Sequence, residues 1–410
     1  MVKEWDFSEA KDRTIWIPNM CDAAYVISAA LRGKGFDSKV LPRSKDPLMS
    51  LGRKYTDGDQ CLPSIITTED ILTRVFSSDF KPGDEAFFQG KSEGPCRFGR
   101  YYMNQLLILE KLGFANVPIV TLDNRNSYGG LGSGFKILAW DGVFAQAMLE
   151  RMLHFTRPFE VNEGESDKVY KESLEELCSV LENKIKQGVG KMDILSNRHN
   201  FEVLESLRVS ADEFSRIEKR KEAKPVVFVT GEIYVRTSDV ANQNLIRKIE
   251  KLGGVVLLEP TASFFAYVGA SKLERRKYHV KEIGFFDALR YRLENYLEDR
   301  DTKDIERIFE VIHDPEVHDV IERGSKYVHP TFEGEAIVTL GGCDYFASKG
   351  VNGIINTMPH NCMPGVICTA KSSELREIYN IPFLNLSYDG HPDPNKDEQL
   401  EVFMYQIQNQ

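Results

Sequence analysis

The sequence lacks the short motifs that usually mark a metal or nucleotide site. It has no C-x-x-C pair, which argues against a zinc ribbon or a thioredoxin motif. It also has no P-loop, nucleophile-elbow or kinase signature. The glycine-rich run at residues 129–134 has neither a P-loop lysine–hydroxyl pair nor the Rossmann spacing. We interpret that run as a loop, with its neighbours at 124–127 as candidates for ligand contact.

Long apolar runs and an excess of positive charge are missing as well. No run is long enough to span a bilayer, and the first residues, MVKEWDF, lack a signal-peptide core. We therefore expect the chain in the cytoplasm, with no membrane partner. The 62 Asp and Glu outnumber the 52 Lys and Arg, which gives a net charge of -10. That balance argues against a nucleic acid partner, because phosphate binding depends on clustered positive charge.

What is present is the composition of a globular protein with a large core. The chain has 410 residues, 42% of them hydrophobic and 28% charged, and this length favours two or three domains. Strand and helix patterns alternate in two separate parts, which predicts an α/β protein with two doubly wound, Rossmann- or flavodoxin-like parallel-sheet domains. We place the first α/β domain at residues 1–134, a helical connector at 135–223, and the second α/β domain at 224–410, with a helical insertion at about 270–325.

Three of the seven cysteines stand just before a predicted helix. Cys61 lies in GDQCLP, Cys96 in GPCRFG and Cys362 in HNCMPG, each with proline and glycine close by. Ligands of open α/β sheets bind between strand ends and helix starts, and helix N-termini suit the negative charge of an iron–sulfur cluster. We therefore predict that these three thiols converge on such a cluster. The spacings match no short metal motif, so the residues alone leave a buried thiol as the alternative for each.

A buried thiol is also the alternative for the remaining cysteines. Cys21 also follows a strand and opens a helix, so it is a candidate fourth ligand. Cys343 lies inside a helical pattern and is explained equally well as a buried thiol. Cys178 and Cys368 also lie within predicted helices and are expected in the core. Arg97 would add positive charge beside a bound cluster.

Two further residues are candidates for acid–base chemistry. His360 is the one histidine of eight that is adjacent to a candidate ligand, and its role would be proton donation or substrate contact. The alternative for His360 is a polar loop residue. Glu232 ends the first strand of the second domain, at the edge where ligands bind. The alternative for Glu232 is a carboxylate that caps a helix or lies in a loop.

Five stretches, in order along the chain, carry a family resemblance. They are GRKYTDGDQCLP (52–63), GPCRFGRY (94–101), GEIYVR (231–236), MPHNCMPG (358–365) and NLSYDG (385–390). From about residue 14 onward the chain resembles the acyl-CoA dehydratase activase-related proteins. These proteins are related to the cluster-bearing subunits of 2-hydroxyacyl-CoA dehydratase and benzoyl-CoA reductase.

The resemblance implies a cofactor held between two Rossmann- or flavodoxin-like domains. That cofactor is a 4Fe-4S cluster with Cys61, Cys96 and Cys362 as ligands and Cys21 as the fourth candidate. The alternative is the double-cubane 8Fe-9S cluster of a related branch, in which Cys343 would take part. The resemblance also implies a partner, a separate actin-like ATPase called the activase, which delivers one low-potential electron at the expense of ATP. The fingerprint of that ATPase is missing here, so ATP use would belong to a partner or to another part of a longer fusion.

The expected function is therefore an iron–sulfur electron-transfer or reductase component, similar to the dehydratase subunits, that receives electrons from the activase. Its substrate would be an acyl-CoA or another small molecule, and a lyase and an ATP-coupled reductase component both stay open as activities. The alternative is a non-redox small-molecule-binding or scaffold protein with a structural metal or none. A second copy of the chain is a further candidate partner, because the sequence does not set the oligomeric state.

Overall fold

A computed structural model describes residues 5–44, 46–57, 60–92, 94–122, 130–196, 198–261, 263, 267–268, 270–271 and 314–409. The chain divides into two compact units. The first comprises Met1–Val143 with Glu176–Val203, and the second comprises Phe144–Glu175 with Leu204–Gln410. Each unit contains a four-stranded parallel sheet flanked by helices, which confirms the predicted α/β class.

The sheet of the first unit has the order β2-β1-β3-β4, and all of its strands are parallel. Its strands are β1 (Thr14–Ile17), β2 (Ser38–Val40), β3 (Glu85–Phe88) and β4 (Ile119–Val120). The helices between them are α1 (Ala23–Gly33), α2 (Ser50–Tyr55), α3 (Leu62–Val75) and α4 (Tyr101–Lys111), and a 3-10 helix at Arg97–Arg100 precedes α4. The order 2-1-3-4 places a topological switch point at the carboxyl ends of β1 and β3.

The sheet of the second unit repeats this order as β6-β5-β7-β8, again with all strands parallel. Its strands are β5 (Val226–Gly231), β6 (Val255–Leu258), β7 (Gly353–Pro359) and β8 (Phe383–Tyr388). The described helices around it are α9 (Ile233–Thr237), α10 (Leu245–Lys251), α11 (Val317–Gly324), α12 (Glu335–Ser348), α13 (Met363–Tyr379) and α14 (Pro394–Gln408). The corresponding switch point lies at the carboxyl ends of β5 and β7.

Residues 135–223, which the sequence analysis treats as a connector, are mostly helical. Their helices are α5 (Ser133–Thr156), α6 (Glu165–Gln187), α7 (Lys191–Leu195) and α8 (Phe201–Arg216). The boundaries between the two units fall inside α5, α6 and α8, so these helices are shared between the units. The predicted insertion lies mainly outside the described residues, as do residues 124–127.

Several strands are buried along their whole length, as expected for sheets flanked by helices. Every residue of β3, β6 and β7 is buried, which is the burial pattern of a parallel sheet covered on two faces. In the first unit, Phe87 of β3 packs in a cluster with Ile71 of α3. In the second unit, Phe228 of β5 packs in a cluster with Ile354 of β7.

Two short helices lie in stretches where the local pattern does not predict a helix. In residues 42–60, α2 packs so tightly on α3 that a Cβ on Gly52 would lie 2.4 Å from the Ile65 carbonyl oxygen. In residues 231–236, α9 begins at Ile233. Neither helix has the length that makes a helical period visible in a sequence.

Candidate functional site

Cys61 is the N-cap residue of α3. Its backbone is extended, with φ -73° and ψ 147°, and its carbonyl oxygen accepts the N–H groups of Ser64 at 2.9 Å and Ile65 at 3.2 Å. Pro63 lies in the first turn of α3, where a missing N–H leaves no bond unmade. The thiol is buried, with 7% of the residue exposed, and its Sγ contacts the hydroxyl of Tyr101.

Cys96 is the N-cap residue of the 3-10 helix that leads into α4. Its Sγ accepts the N–H of Phe98 at 3.5 Å, and the residue is partly exposed. The ring of Phe98 meets the ring of Tyr101 edge to face, with 5.5 Å between the ring centroids. A chain of contacts through Phe98 and Tyr101 therefore connects Cys96 with Cys61 in the first unit.

Cys21 and Arg97 occupy the same edge of the first unit's sheet. Cys21 follows β1 and stands next to Asp22, the N-cap residue of α1, and the Cys21 carbonyl oxygen accepts the N–H of Ala24 at 2.9 Å. Arg97 is the first residue of the 3-10 helix and is exposed. The carboxyl ends of β1, β2 and β3 are thus each followed by a segment that contains a cysteine.

Cys362 of the second unit has the same local position as Cys61. It is the N-cap residue of α13, its carbonyl oxygen accepts the N–H of Val366 at 2.8 Å, and it follows the carboxyl end of β7. The first turn of α13 lies closely against β7, because a Cβ on Gly365 would lie 2.5 Å from the Sδ of Met358. The predicted position of this cysteine, between a strand and a helix, is correct.

The other three cysteines are buried within helices. Cys343 of α12 and Cys368 of α13 pack in one hydrophobic cluster, and Cys178 lies in α6. Burial raises the pKa of both the Cys343 and the Cys368 thiols, which disfavours the thiolate that metal ligation requires. The sequence-based interpretation of Cys178 and Cys368 as core residues agrees with these positions.

The two acid–base candidates are placed differently in the second unit. His360 is exposed at the turn after β7, and its backbone N–H donates to the Tyr388 carbonyl oxygen at 2.8 Å. Glu232 caps α9 by accepting the N–H of Val235 at 2.8 Å. Burial raises the pKa of Glu232. The capping role of Glu232, left as the alternative by the sequence, is the one that the structure provides.

A buried ion cluster lies at the carboxyl edge of the second unit's sheet, and the sequence analysis did not identify it. The side chain of Arg236 is 1% exposed, and it lies 3.3 Å from Glu259 and 3.1 Å from Glu335. Arg236 also donates to the carbonyl oxygens of Gly231, of Glu259 at 2.9 Å and of Pro260 at 3.0 Å. One guanidinium therefore holds the ends of β5 and β6 and the start of α12 together.

The carboxyl groups of this cluster do not ionise readily. Burial raises the pKa of Glu335 to about 8 and also raises the pKa of Glu259, although Arg236 acts in the opposite direction on both. The GEIYVR stretch contained Arg236, but its carboxylate partners lie 23 and 99 positions further along the chain. No local pattern connects residues at such separations.

A second set of buried polar groups lies at the carboxyl edge of the first unit's sheet. The N–H of Asn19, after β1, donates to Asp70 of α3 at 3.3 Å. The amide of Gln105 donates to Gln89, after β3, at 3.2 Å and to Thr67 of α3 at 3.0 Å. Burial raises the pKa of Asp70 to about 7. Among the described residues, four buried oxygens of this region have no hydrogen-bond partner, those of Ser64 Oγ, Thr68 Oγ1, Asp70 Oδ1 and Gln105 Oε1.

This set was missed because the first three turns of α3 are buried on all sides. A polar run such as SIITTED (64–70) is normally assigned to the solvent face of a helix. Here Ser64, Thr67, Thr68, Glu69 and Asp70 are all buried. The only sequence signal was the density of small hydroxyl residues directly after a candidate ligand.

No family model matches the chain, and the search of curated proteins found no significant match. The family resemblance therefore stays a prediction from the five stretches quoted above. In the described part of the chain, no helix is both long and apolar enough to cross a membrane.

The thiols of the first unit fit an iron–sulfur cluster in their local chemistry. No disulfide joins any of the seven cysteines. Cys61 and Cys96 both precede helical N–H groups, which favour negatively charged ligands. Within the described residues, no group of three or more His, Cys, Asp or Glu could hold a metal ion. A cubane cluster differs from a single-ion site, because its cysteines bind different irons and surround a cofactor larger than one ion.

Proposed function

We propose that the chain is an iron–sulfur electron-transfer or reductase component, in which Cys61 and Cys96 are cluster ligands. The observation that carries this proposal is the position of both thiols as N-cap residues at one sheet edge, connected through Tyr101 and Phe98. A polypeptide that places two thiols next to helical N–H groups offers ligands to an anionic centre. An iron–sulfur cluster bound there supplies one-electron chemistry.

Two further cysteines complete the proposed ligand set. Cys21 belongs to the first unit and also precedes a helix, and Cys362 caps α13 in the second unit. The resemblance implies Cys362 as the third ligand and Cys21 as the candidate fourth. We propose a 4Fe-4S cluster over the 8Fe-9S alternative, because Cys343 lies in an apolar cluster where burial raises its thiol pKa.

The partner and the substrate class follow from the resemblance. We propose that a separate ATP-dependent, actin-like activase delivers the electron, and that the substrate is an acyl-CoA or a related small molecule. In this reading Arg97, exposed beside Cys96, adds positive charge next to the bound cluster. We propose that His360, exposed two residues before Cys362, exchanges a proton with a bound ligand. Glu232 caps α9, and its part in acid–base chemistry stays a prediction.

The test is iron and acid-labile sulfide per chain, measured on protein purified and reconstituted without oxygen. We expect about four of each for one 4Fe-4S cluster. Cys61→Ser and Cys96→Ser should each lose most of the bound iron, because serine is a poor substitute for thiolate in iron ligation. Cys178→Ser is the matched control, since Cys178 is buried in α6, and it should retain the wild-type iron content. Full iron in Cys96→Ser would contradict the ligand assignment.

The substrate part of the proposal has its own measurement. Binding of an acyl-CoA thioester and of free CoA to the iron-loaded chain should differ, with the thioester bound more tightly. Equal binding would remove the dehydratase-like reading and leave electron transfer in place. An iron content near zero in wild-type protein would remove both.

The alternative function, a non-redox small-molecule-binding protein, is favoured by a different observation. Buried oxygens of Ser64, Thr68, Asp70 and Gln105 have no hydrogen-bond partner among the described residues, and buried polar groups of this kind are normally paired. A polar small molecule at the switch point of the first sheet would satisfy them. Protein without iron that binds such a molecule would support this alternative.

A further inference from the structure

Tyr101 is the residue that connects Cys61 with the Cys96 segment, and both cysteines are candidate ligands of the first unit. It is the first residue of α4, and the 3-10 helix that leads into α4 begins directly after Cys96. The phenol is buried, with 4% of the residue exposed, and its hydroxyl contacts the Sγ of Cys61. Tyr101 thus belongs to the segment that begins at Cys96, while its hydroxyl contacts the thiol of Cys61.

The Tyr101 ring is held in this orientation by Phe98. The two rings meet edge to face at 5.5 Å, a preferred arrangement for aromatic pairs. The N–H of Phe98 donates to the Sγ of Cys96 at 3.5 Å. Each candidate ligand therefore lies next to a donor from the same short segment, a phenol for Cys61 and a backbone N–H for Cys96.

We propose that Tyr101 donates a hydrogen bond to the Cys61 sulfur of a bound cluster and thereby raises the reduction potential of that cluster. Reduction adds one electron, so negative charge on the thiolate sulfurs increases. A hydrogen bond to sulfur stabilises that charge, and such bonds are among the factors that set cluster potentials. This inference rests on the proposed function, because it assigns a role to Tyr101 only where Cys61 is a ligand.

The experiment compares three full-length proteins loaded with iron and sulfide without oxygen: the wild type, Tyr101→Phe and Tyr102→Phe. Tyr102 is the matched control, because it is the next residue of α4 and its ring packs in the hydrophobic cluster of the first unit. Iron content is measured first, followed by the midpoint potential from an EPR-monitored reductive titration. We expect equal iron in all three, a more negative potential in Tyr101→Phe, and the wild-type potential in Tyr102→Phe.

The outcomes separate this inference from the proposed function. If the wild type binds iron and all three proteins have the same midpoint potential, the proposed role of Tyr101 is overturned while the cluster assignment stands. An equal shift in Tyr102→Phe would also overturn it, because the effect would then come from packing of α4. A wild-type protein without iron would overturn the proposed function itself.

A second measurement covers the case in which Tyr101→Phe does not retain its iron. The iron–cysteine stretching bands of the wild-type protein are recorded by resonance Raman spectroscopy in H2O and in D2O. When a hydroxyl group donates a hydrogen bond to a ligand sulfur, replacing its exchangeable proton by deuterium shifts these bands. Bands that do not move in D2O would overturn the inference without any variant.

Discussion

The two sheets have the same strand order, yet the chemistry at their carboxyl edges differs. At the edge of the first sheet, the buried polar groups are mostly amides and hydroxyls, with Asp70 as an ionisable member. At the edge of the second, a fully buried guanidinium, Arg236, holds two carboxylates and three carbonyl oxygens. One topology therefore supports a mainly neutral network in one unit and an ion cluster in the other, because the order of strands does not determine the side chains at their ends.

The comparison also separates structural from ligand-directed roles. In the ion cluster of the second unit, one guanidinium contacts two carboxyl groups, and these contacts stabilise the fold. In the first unit several buried oxygens have no partner among the described residues, and two thiols lie at helix starts. We therefore expect ligand binding at the carboxyl edge of the first sheet and a structural role for the Arg236 cluster.

The largest expected effect is the loss of the buried guanidinium. Arg236→Met leaves Glu259 and Glu335 buried without their cation, and breaking a buried pair in this way typically costs about 3–5 kcal/mol. Urea unfolding followed by circular dichroism measures the change in the free energy of unfolding. The control is Arg216→Met, because the side chain of Arg216 is 69% exposed and an exposed ion pair contributes about 0–1 kcal/mol. Similar losses in both variants would show that Arg236 does not hold the sheet edge together.

The next effect concerns pH and the first unit. Burial raises the pKa of Asp70 from 3.8 to about 7, so the folded protein keeps a proton that the unfolded chain has already released. The contribution of this group to the free energy of unfolding is therefore largest below about pH 4, and it declines as the pH rises to about 7. Asp70→Asn should remove that decline and be more stable than wild type at pH 8, by at most about 4 kcal/mol.

The measurement is the free energy of unfolding at several values between pH 4 and pH 8, for the wild type and for Asp70→Asn. Parallel pH profiles for the two proteins would contradict the prediction. Glu335→Gln provides the comparison in the second unit, where the pKa of about 8 extends the sensitive range upward. Of the two groups, only Glu335 still loses stability between pH 7 and pH 8, so a decline that remains there in the wild type and in Asp70→Asn but disappears in Glu335→Gln would distinguish the two edges.

The smallest expected difference between paired variants is that between two glycines with positive φ. A Cβ on Gly231, at the end of β5, would lie 2.0 Å from the Thr357 carbonyl oxygen, whereas a Cβ on Gly35 meets nothing within 4 Å. Both alanine variants carry backbone strain of about 1–2 kcal/mol, because φ is 109° at Gly231 and 88° at Gly35. Gly231→Ala adds a backbone clash and should be destabilised by about 2–3 kcal/mol more. Equal thermal unfolding temperatures would show that the end of β5 can move away from β7.

Much of the fold could be predicted from local pattern. The alternation of strand and helix patterns predicted the two α/β parts, and Cys61, Cys96 and Cys362 were correctly placed before helices. The short helices α2 and α9 were missed, since five or six residues do not show a helical period. The division of α5, α6 and α8 between the two units could not be predicted from local pattern either, because it depends on contacts with residues elsewhere in the chain.

The sequence by itself determined the class of the protein and the residues on which a redox hypothesis depends. Hydrophobic period and proline and glycine positions are local, and they set where strands end, where helices begin and therefore where the cysteines lie. The tertiary structure alone decided which side chains meet. It put the Tyr101 hydroxyl on Cys61, closed Glu259 and Glu335 around Arg236, and buried Asp70. These contacts, and the pKa shifts that burial causes, depend on distances between residues far apart in the chain, and no local pattern encodes those distances.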